Sequence, residues 1–274
     1  MKLKSWILYS LKVLVLFGGT FFQTSAQTAR VGSYVSANTF ITNPITDTLV
    51  PLTYRTERER PVFLLGSGVL IGYGLISLGN NGVRQLNNEA REEIREHNLR
   101  RNKLDNYTQY FPTLMVYGLN ATGVKGLHNF VDRSLIYGTS QLIAASFVLP
   151  LKHIVGEERP DGSNRLSFPS GHTTTAFSSA HFMYREYRDN NLWLSLSGYP
   201  FAIFTGAYRA VNDRHWLGDV VAGAGFGILS TELSYLLYPK INKFLSNGKK
   251  RRSHIMVFPQ YQQNMLGVGC IANF

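Results

Sequence analysis

Ala222-Gly223-Ala224-Gly225-Phe226-Gly227 sits inside a long apolar run, residues 217–238, and its reading decides the fold. Small side chains let helix backbones approach closely, a habit of membrane bundles and of tight soluble ones. Outward from it lie further helix-compatible blocks at 192–208, 173–184, 134–150 and 110–122, with Gly, Ala and Ser recurring inside them. Pro61 opens one more apolar stretch, 62–78, which stops at the turn signal Gly79-Asn80-Asn81-Gly82. About six helices result, so the chain is expected to be an all-α bundle. The charged segment 84–103, with Glu89, Arg91, Glu92, Glu93, Arg95, Glu96 and Arg100, reads as a solvated helix or ordered loop.

The ends of the chain read differently. Lys2 and Lys4, the apolar residues 7–22 and the small residues Thr24-Ser25-Ala26 form the pattern of a secretory signal over 1–26, with an uncleaved anchor as the alternative. Residues 27–60 form a polar arm carrying Pro44, Pro51 and Arg55-Thr56-Glu57-Arg58-Glu59-Arg60, and the helical domain runs over 61–245. The remainder, 246–274, begins with the basic cluster Lys249-Lys250-Arg251-Arg252. Two stretches of strand character follow, 255–261 and 265–274, and Gln262-Gln263-Asn264 suits a hairpin turn between them.

Lys and Arg number 28 against 17 Asp and Glu, a formal net charge of +11 in 274 residues. Such an excess suits nucleic acid, anionic lipid or phosphorylated substrates. The basic residues are scattered and no nucleic-acid module is present, which argues against nucleic acid. The single cysteine, Cys270, excludes an intrachain disulfide.

Chemistry concentrates in three short stretches. Lys152 is followed, after six intervening residues, by Arg159-Pro160; then comes Pro169-Ser170-Gly171-His172; last, Arg209, His215 and Asp219. Positioned cations and backbone N–H groups aimed at equatorial oxygens supply most of the catalysis of phosphoryl transfer. Arg159 and Arg209 offer planar forks, Lys152 a point charge. Ser170 suits the cap of the following helix, Gly171 lets backbone approach a ligand, and the first free N–H groups there favour an anion. His172 is placed to donate a proton to a leaving oxygen. His215 and Asp219 are four apart, on one face if the helix begins that early, and a carboxylate on one imidazole nitrogen frees the other to attack phosphorus. The set needs no metal or other cofactor, and no histidine pair has a familiar zinc-ligand spacing. Each element alone has an ordinary structural explanation; the ordered set is what carries the argument. His128, His153 and His181 have no such partners in the sequence and are assigned structural roles. Glu157 and Glu158 are expected to offset charge or face solvent.

These residues resemble the type 2 phosphatidic acid phosphatase and vanadium haloperoxidase superfamily, whose pattern is Lys-x6-Arg-Pro, Pro-Ser-Gly-His and Ser-Arg-x5-His-x3-Asp. The match falls on Lys152, Arg159 and Pro160, on Pro169 to His172, and on Arg209, His215 and Asp219; Tyr208 stands where the family usually has Ser. The resemblance implies a helical bundle with the active site at one end. It further implies attack by His215 to form a phosphohistidine, orientation of His215 by Asp219, and acid–base work by His172. Lys152, Arg159, Ser170, Gly171 and Arg209 would bind the phosphate. Small size, the leader and the apolar helices favour the phosphatase branch.

The expected activity is that of an exported, metal-independent phosphatase acting on a phosphorylated lipid in the cell envelope. A soluble-monoester acid phosphatase and a non-catalytic phosphate-binding envelope protein are the alternatives. Three helical blocks precede Lys152, so a cleaved leader and three crossings would leave the motifs in the cytoplasm. An integral enzyme with a periplasmic site and a membrane-associated bundle that never spans both remain open.

Overall fold

The computed structural model describes residues 56–97, 99–247, 254–262 and 265–273. The leader and nearly all of the polar arm lie outside the described residues. Nine helices are present among the described residues: α1 (Thr56–Gly79), α2 (Asn81–Glu96), α3 (Asp105–Thr108), α4 (Phe111–Ala121), α5 (Phe130–Val155), α6 (Gly171–Tyr187), α7 (Leu192–Leu196), α8 (Tyr199–Val211) and α9 (Leu217–Asn247). Strands β1 (His254–Gln262) and β2 (Met265–Asn273) pair antiparallel in the expected C-terminal hairpin, from His254 opposite Asn273 to Gln262 opposite Met265.

The all-α bundle is organised around α6, whose residues 178–187 are all buried. Its neighbour α9 runs parallel to it at close range because glycines face it. A Cβ on Gly223 would lie 2.7 Å from the Ser170 carbonyl oxygen, and one on Gly227 2.5 Å from that of Thr174. Helices α1, α5 and α8 run the other way: Ser77 meets Gly218, Phe147 stacks on Phe226, and Gly206 meets Thr173. Phe168, Ala222 and Phe226 form the core near the motif end; Val116, Ile136, Phe182, Met183, Tyr187 and Tyr235 form it at the other.

Pro61–Gly79, Phe130–Val155 and Leu217–Leu245 are long and apolar enough to cross a membrane. The 11 residues of α4 span only about 16 Å at 1.5 Å per residue, against about 30 Å of hydrocarbon.

Several boundaries differ from expectation for identifiable reasons. Helix α5 continues through Pro150 to Val155 and stops at Gly156, which takes a left-handed φ of 60°. Residues 192–208 divide into α7 and α8, since Asn191 caps the first and Pro200 starts the second. Gly198 lies between them, where a Cβ would crowd Pro112 and the Ala180 backbone at 3.1 and 3.2 Å. The charged helix α2 is not simply solvated. Asn87 is buried, accepting from the Gly218 N–H at 3.1 Å, and Arg91 reaches the Pro160 carbonyl and the Asp213 carboxylate.

Candidate active site

The bundle ties the three stretches together at one end. The Lys152 ammonium, on the last turns of α5, donates to the carbonyls of Leu166 and Pro169, both at 2.8 Å, so the first stretch holds the loop that delivers the second. Asp161 N–H donates to the Asp213 carbonyl at 3.2 Å, and Ser170 N–H to the Asp219 carbonyl at 3.1 Å, joining both to the third. Ser170 is the N-cap of α6, its hydroxyl pairing with Thr173 Oγ1 at 2.8 Å. That cap places Gly171 and His172 in the first turn, where N–H groups lack intrahelical partners and the dipole favours an anion.

His215 precedes α9 rather than sharing its face, because the helix starts only at Leu217. Asp219 sits in the first turn and reaches back. Its Oδ2 accepts from Trp216 N–H at 2.9 Å and from the Ser167 hydroxyl at 2.5 Å. His215 Nδ1 lies 3.6 Å from the same oxygen, an ion-pair distance longer than a hydrogen bond, and both side chains are buried. Burial pushes the His215 imidazole down to about 4, with Lys152 and Arg209 acting in the same direction and Asp219 against them. The ring is therefore neutral near neutrality, the form a nucleophile requires.

Arg209, near the end of α8, donates through Nη1 to Asp105 Oδ2 at 2.8 Å while its Nε has no partner among the described residues. Arg159 Nε is buried and equally unpartnered. His172 Nε2 lies 2.8 Å from Asn106 Oδ1. Burial lowers His172 to about 4, followed by Arg209, Lys152 and Arg159, with Asp105 opposing. The same cations thus act on both histidines. Two buried arginine N–H groups without acceptors among the described residues, set among mutually repelling cations, are a geometry that suits an anion.

Some residues at this end had no signal in their own stretch of sequence. Asp105 and Asn106, on α3, hold Arg209 and His172 across a long sequence separation. Glu157 does not simply offset charge or face solvent. Its carboxyl lies against Asp219, and burial, then contact with that second carboxylate, raises it to about 9. Asp213, in the left-handed region at φ 55°, receives Arg91 Nε at 3.1 Å and Arg101, with Arg95 at 3.7 Å. Two histidines assigned structural roles also have carboxylate partners: His181 Nε2 meets Glu232 at 2.7 Å and His128 Nδ1 meets Glu186 at 2.7 Å, far from the motif end. His153 is exposed.

A capped helix, a histidine paired with a carboxylate and clustered cations thus meet at one end of the helical bundle. Residues 133–243 match the PAP2 superfamily. A lipid A 1-phosphatase of Porphyromonas gingivalis is 39% identical over 134 residues, which make up 48% of this chain and 30% of that protein. The chain thus matches less than a third of that relative's length. Among solved structures, LpxE of Aquifex aeolicus aligns with a TM-score of 0.42 at 22% identity, covering 55% of this chain and 95% of that one. A transmembrane PAP2 type phosphatidylglycerolphosphate phosphatase from Bacillus subtilis aligns at 0.44 and 20%, covering 71% and 99%.

Proposed function

We infer that the protein is a phosphoric ester hydrolase that removes phosphate from a membrane lipid through a phosphohistidine. One observation carries this reading: a buried His215–Asp219 pair together with two arginines whose buried Nε–H groups have no acceptor among the described residues. Phosphate enters against the first turn of α6. Arg159, Arg209, Lys152 and the N–H groups near Ser170 and Gly171 take the charge of its oxygens.

A proton on His215 Nδ1 faces Asp219, so Nε2 keeps its lone pair. It attacks phosphorus, the P–N bond forms and the ester P–O bond breaks as His172 gives its proton to the leaving oxygen. His172 then takes a proton from water, whose oxygen attacks phosphorus and breaks the P–N bond, releasing phosphate. Without phosphate, burial and then the neighbouring cations hold His172 neutral; a dianion among those cations opposes both and favours the imidazolium that the first step needs. Asp219, already held by Ser167 and Trp216, keeps the tautomer of His215.

Three helices of membrane-spanning length and the similarity to a lipid A 1-phosphatase support a lipid-linked substrate. With the leader pattern, they support a site in the cell envelope. The test is phosphate release by the full chain in EDTA from lipid A, phosphatidate and p-nitrophenyl phosphate, with acid-labile, alkali-stable label trapped from a ³²P-lipid. Release from lipid, lost with the trapped label in His215→Ala, is expected. Release from the soluble ester alone would give the acid-phosphatase reading, and binding with no turnover the non-catalytic one.

A further inference from the structure

We propose that the cavity between α2 and the 157–162 loop is a headgroup subsite that recognises the sugar of a glycosylated lipid phosphate. The proposal deepens the phosphatase reading and rests on it for the position of the scissile phosphate. The cavity has a volume of about 550 Å³, and Arg84, Asn88, Arg91, Glu158, Arg159 and Trp216 are among its walls. Arg159 belongs to the phosphate cluster and Trp216 follows His215, so the cavity borders the reacting centre.

The character of the walls sets the ligand class. Arg91 is already committed to Asp213 and stacks over the Trp216 ring at 5.4 Å, making one rigid wall of guanidinium and indole. Asp161 is committed to Arg214 at 2.9 Å. Arg84 and Asn88, exposed on the same helix, make no side-chain hydrogen bond among the described residues. Glu158 gives its carbonyl to Trp216 Nε1 at 2.8 Å and keeps an exposed carboxylate. The free groups are therefore both donors and acceptors, set round an aromatic edge. Acyl chains would strand these groups without partners. Glycerol offers too few hydroxyls to satisfy them. A pyranose ring, whose hydroxyls donate and accept together, matches the set, and the volume falls in the range of small-ligand sites.

The geometry also separates selectivity from chemistry. Arg84, Asn88 and Arg91 lie outside the matched segment 133–243, while Glu158, Arg159 and Trp216 lie inside it. Four of the eleven lining residues, Arg84, Asn87, Asn88 and Arg91, thus come from an element outside the matched segment.

The test uses the full chain in mixed micelles, with a glucosamine-disaccharide 1-phosphate lipid and phosphatidate as probes. Arg84→Ala and Asn88→Ala are compared, each also combined with His215→Ala so that binding is read without turnover. Both α2 positions are exposed, and thermal melting checks folding. Loss of a charge-assisted hydrogen bond predicts that Arg84→Ala lowers the sugar-lipid to phosphatidate ratio, in kcat/KM and in affinity, by about tenfold. Asn88→Ala should shift it in the same direction by less. An unchanged ratio in both variants overturns the proposal, even if His215→Ala abolishes turnover and the phosphatase reading stands. An affinity ratio that falls while wild type hydrolyses neither lipid would keep the subsite and remove the reaction. Soluble glucosamine 1-phosphate identifies the source. Competition that Arg84→Ala removes supports recognition of the free sugar phosphate, and absence of competition beside the shifted ratio supports the lipid-linked form.

Discussion

Gly223→Ala tests whether the close approach of α6 and α9 positions the site. The added methyl would stand 2.7 Å from the Ser170 carbonyl oxygen and 3.1 Å from Thr173 Cβ, where ordinary contact begins at 3.4 Å. The shortfall against the carbonyl is about 0.7 Å (3.4 minus 2.7), and backbone cannot rotate away as a flexible side chain can. The helices must part by several tenths of an ångström. Overpacking of this kind costs about 1–3 kcal/mol, offset in part by roughly 1 kcal/mol of improved helix propensity.

Activity should suffer more than stability. Ser170 and His172 ride on the start of α6 and Asp219 on the start of α9, so the separation divides the phosphate cradle from the carboxylate that orients His215. Misplacement by about 1 Å can cost about a hundredfold, so a fall of tens of fold in kcat with a modest drop in Tm is expected. The assay is lipid-phosphate hydrolysis at saturating substrate, with melting in detergent. Gly138→Ala on α5 is the control, since its methyl meets nothing within 4 Å. Wild-type kcat in Gly223→Ala would refute the argument that this contact sets the site geometry.

His172→Ala should lower hydrolysis of a lipid phosphate at least tenfold more than that of p-nitrophenyl phosphate, whose leaving group needs no acid; equal losses would remove His172 from the acid role. Binding of inorganic phosphate at about pH 7 should take up more protons in the wild type than in His172→Ala, because His172 near 4 in the free protein rises beside a dianion; calorimetry in buffers of different ionisation enthalpy reads the difference, and equal uptake would refute it. Glu157 holds a proton until about 9, so kcat/KM should decline as pH rises through that value and a second charge forms against Asp219. Glu157→Gln retains a donor and does not titrate, and its profile should lack this alkaline limb. Asp213→Ala removes the carboxylate that Arg91 and Arg101 share and puts alanine at a left-handed φ, so stability should fall by about 2 kcal/mol, read as a lower Tm.

What was legible in the sequence was whatever sits in short contiguous stretches. Lys152, Arg159, the Ser170 cap and the Arg209–His215–Asp219 run could be read because each motif is local and the bundle needs only to bring three of them together. The cap itself was readable because serine before a helical block has one preferred role. The start of α9 was not, since His215 and Trp216 carry no mark separating a helical first turn from a loop. Asp105 and Asn106 were invisible for a different reason. Their partners lie on α8 and α6, and a carboxylate beside Leu104 and Tyr107 gives no local sign of burial. Glu157 was misread because a glutamate between cations ordinarily faces water; only the fold shows that Asp219 occupies the space beside it.

The charges buried away from the site follow from the same geometry. Helix α6 carries His181, Arg185 and Glu186 in burial. Arg185 gives Nη1 to both oxygens of Glu232 at 3.0 Å, while Glu186 collects His128, Arg133 and the Tyr235 hydroxyl. Glu232 and Tyr235 lie on α9, one turn apart, and their partners on α6 are spaced to match. A seam of glycines and serines alone is smooth and would tolerate sliding. Charged pairs at one end give it a register, since a one-residue slip would leave an ion buried without its partner. That register carries up the parallel helices to Gly223 and Ser170, and so to His172 at the start of α6 and to Asp219, beside His215, at the start of α9.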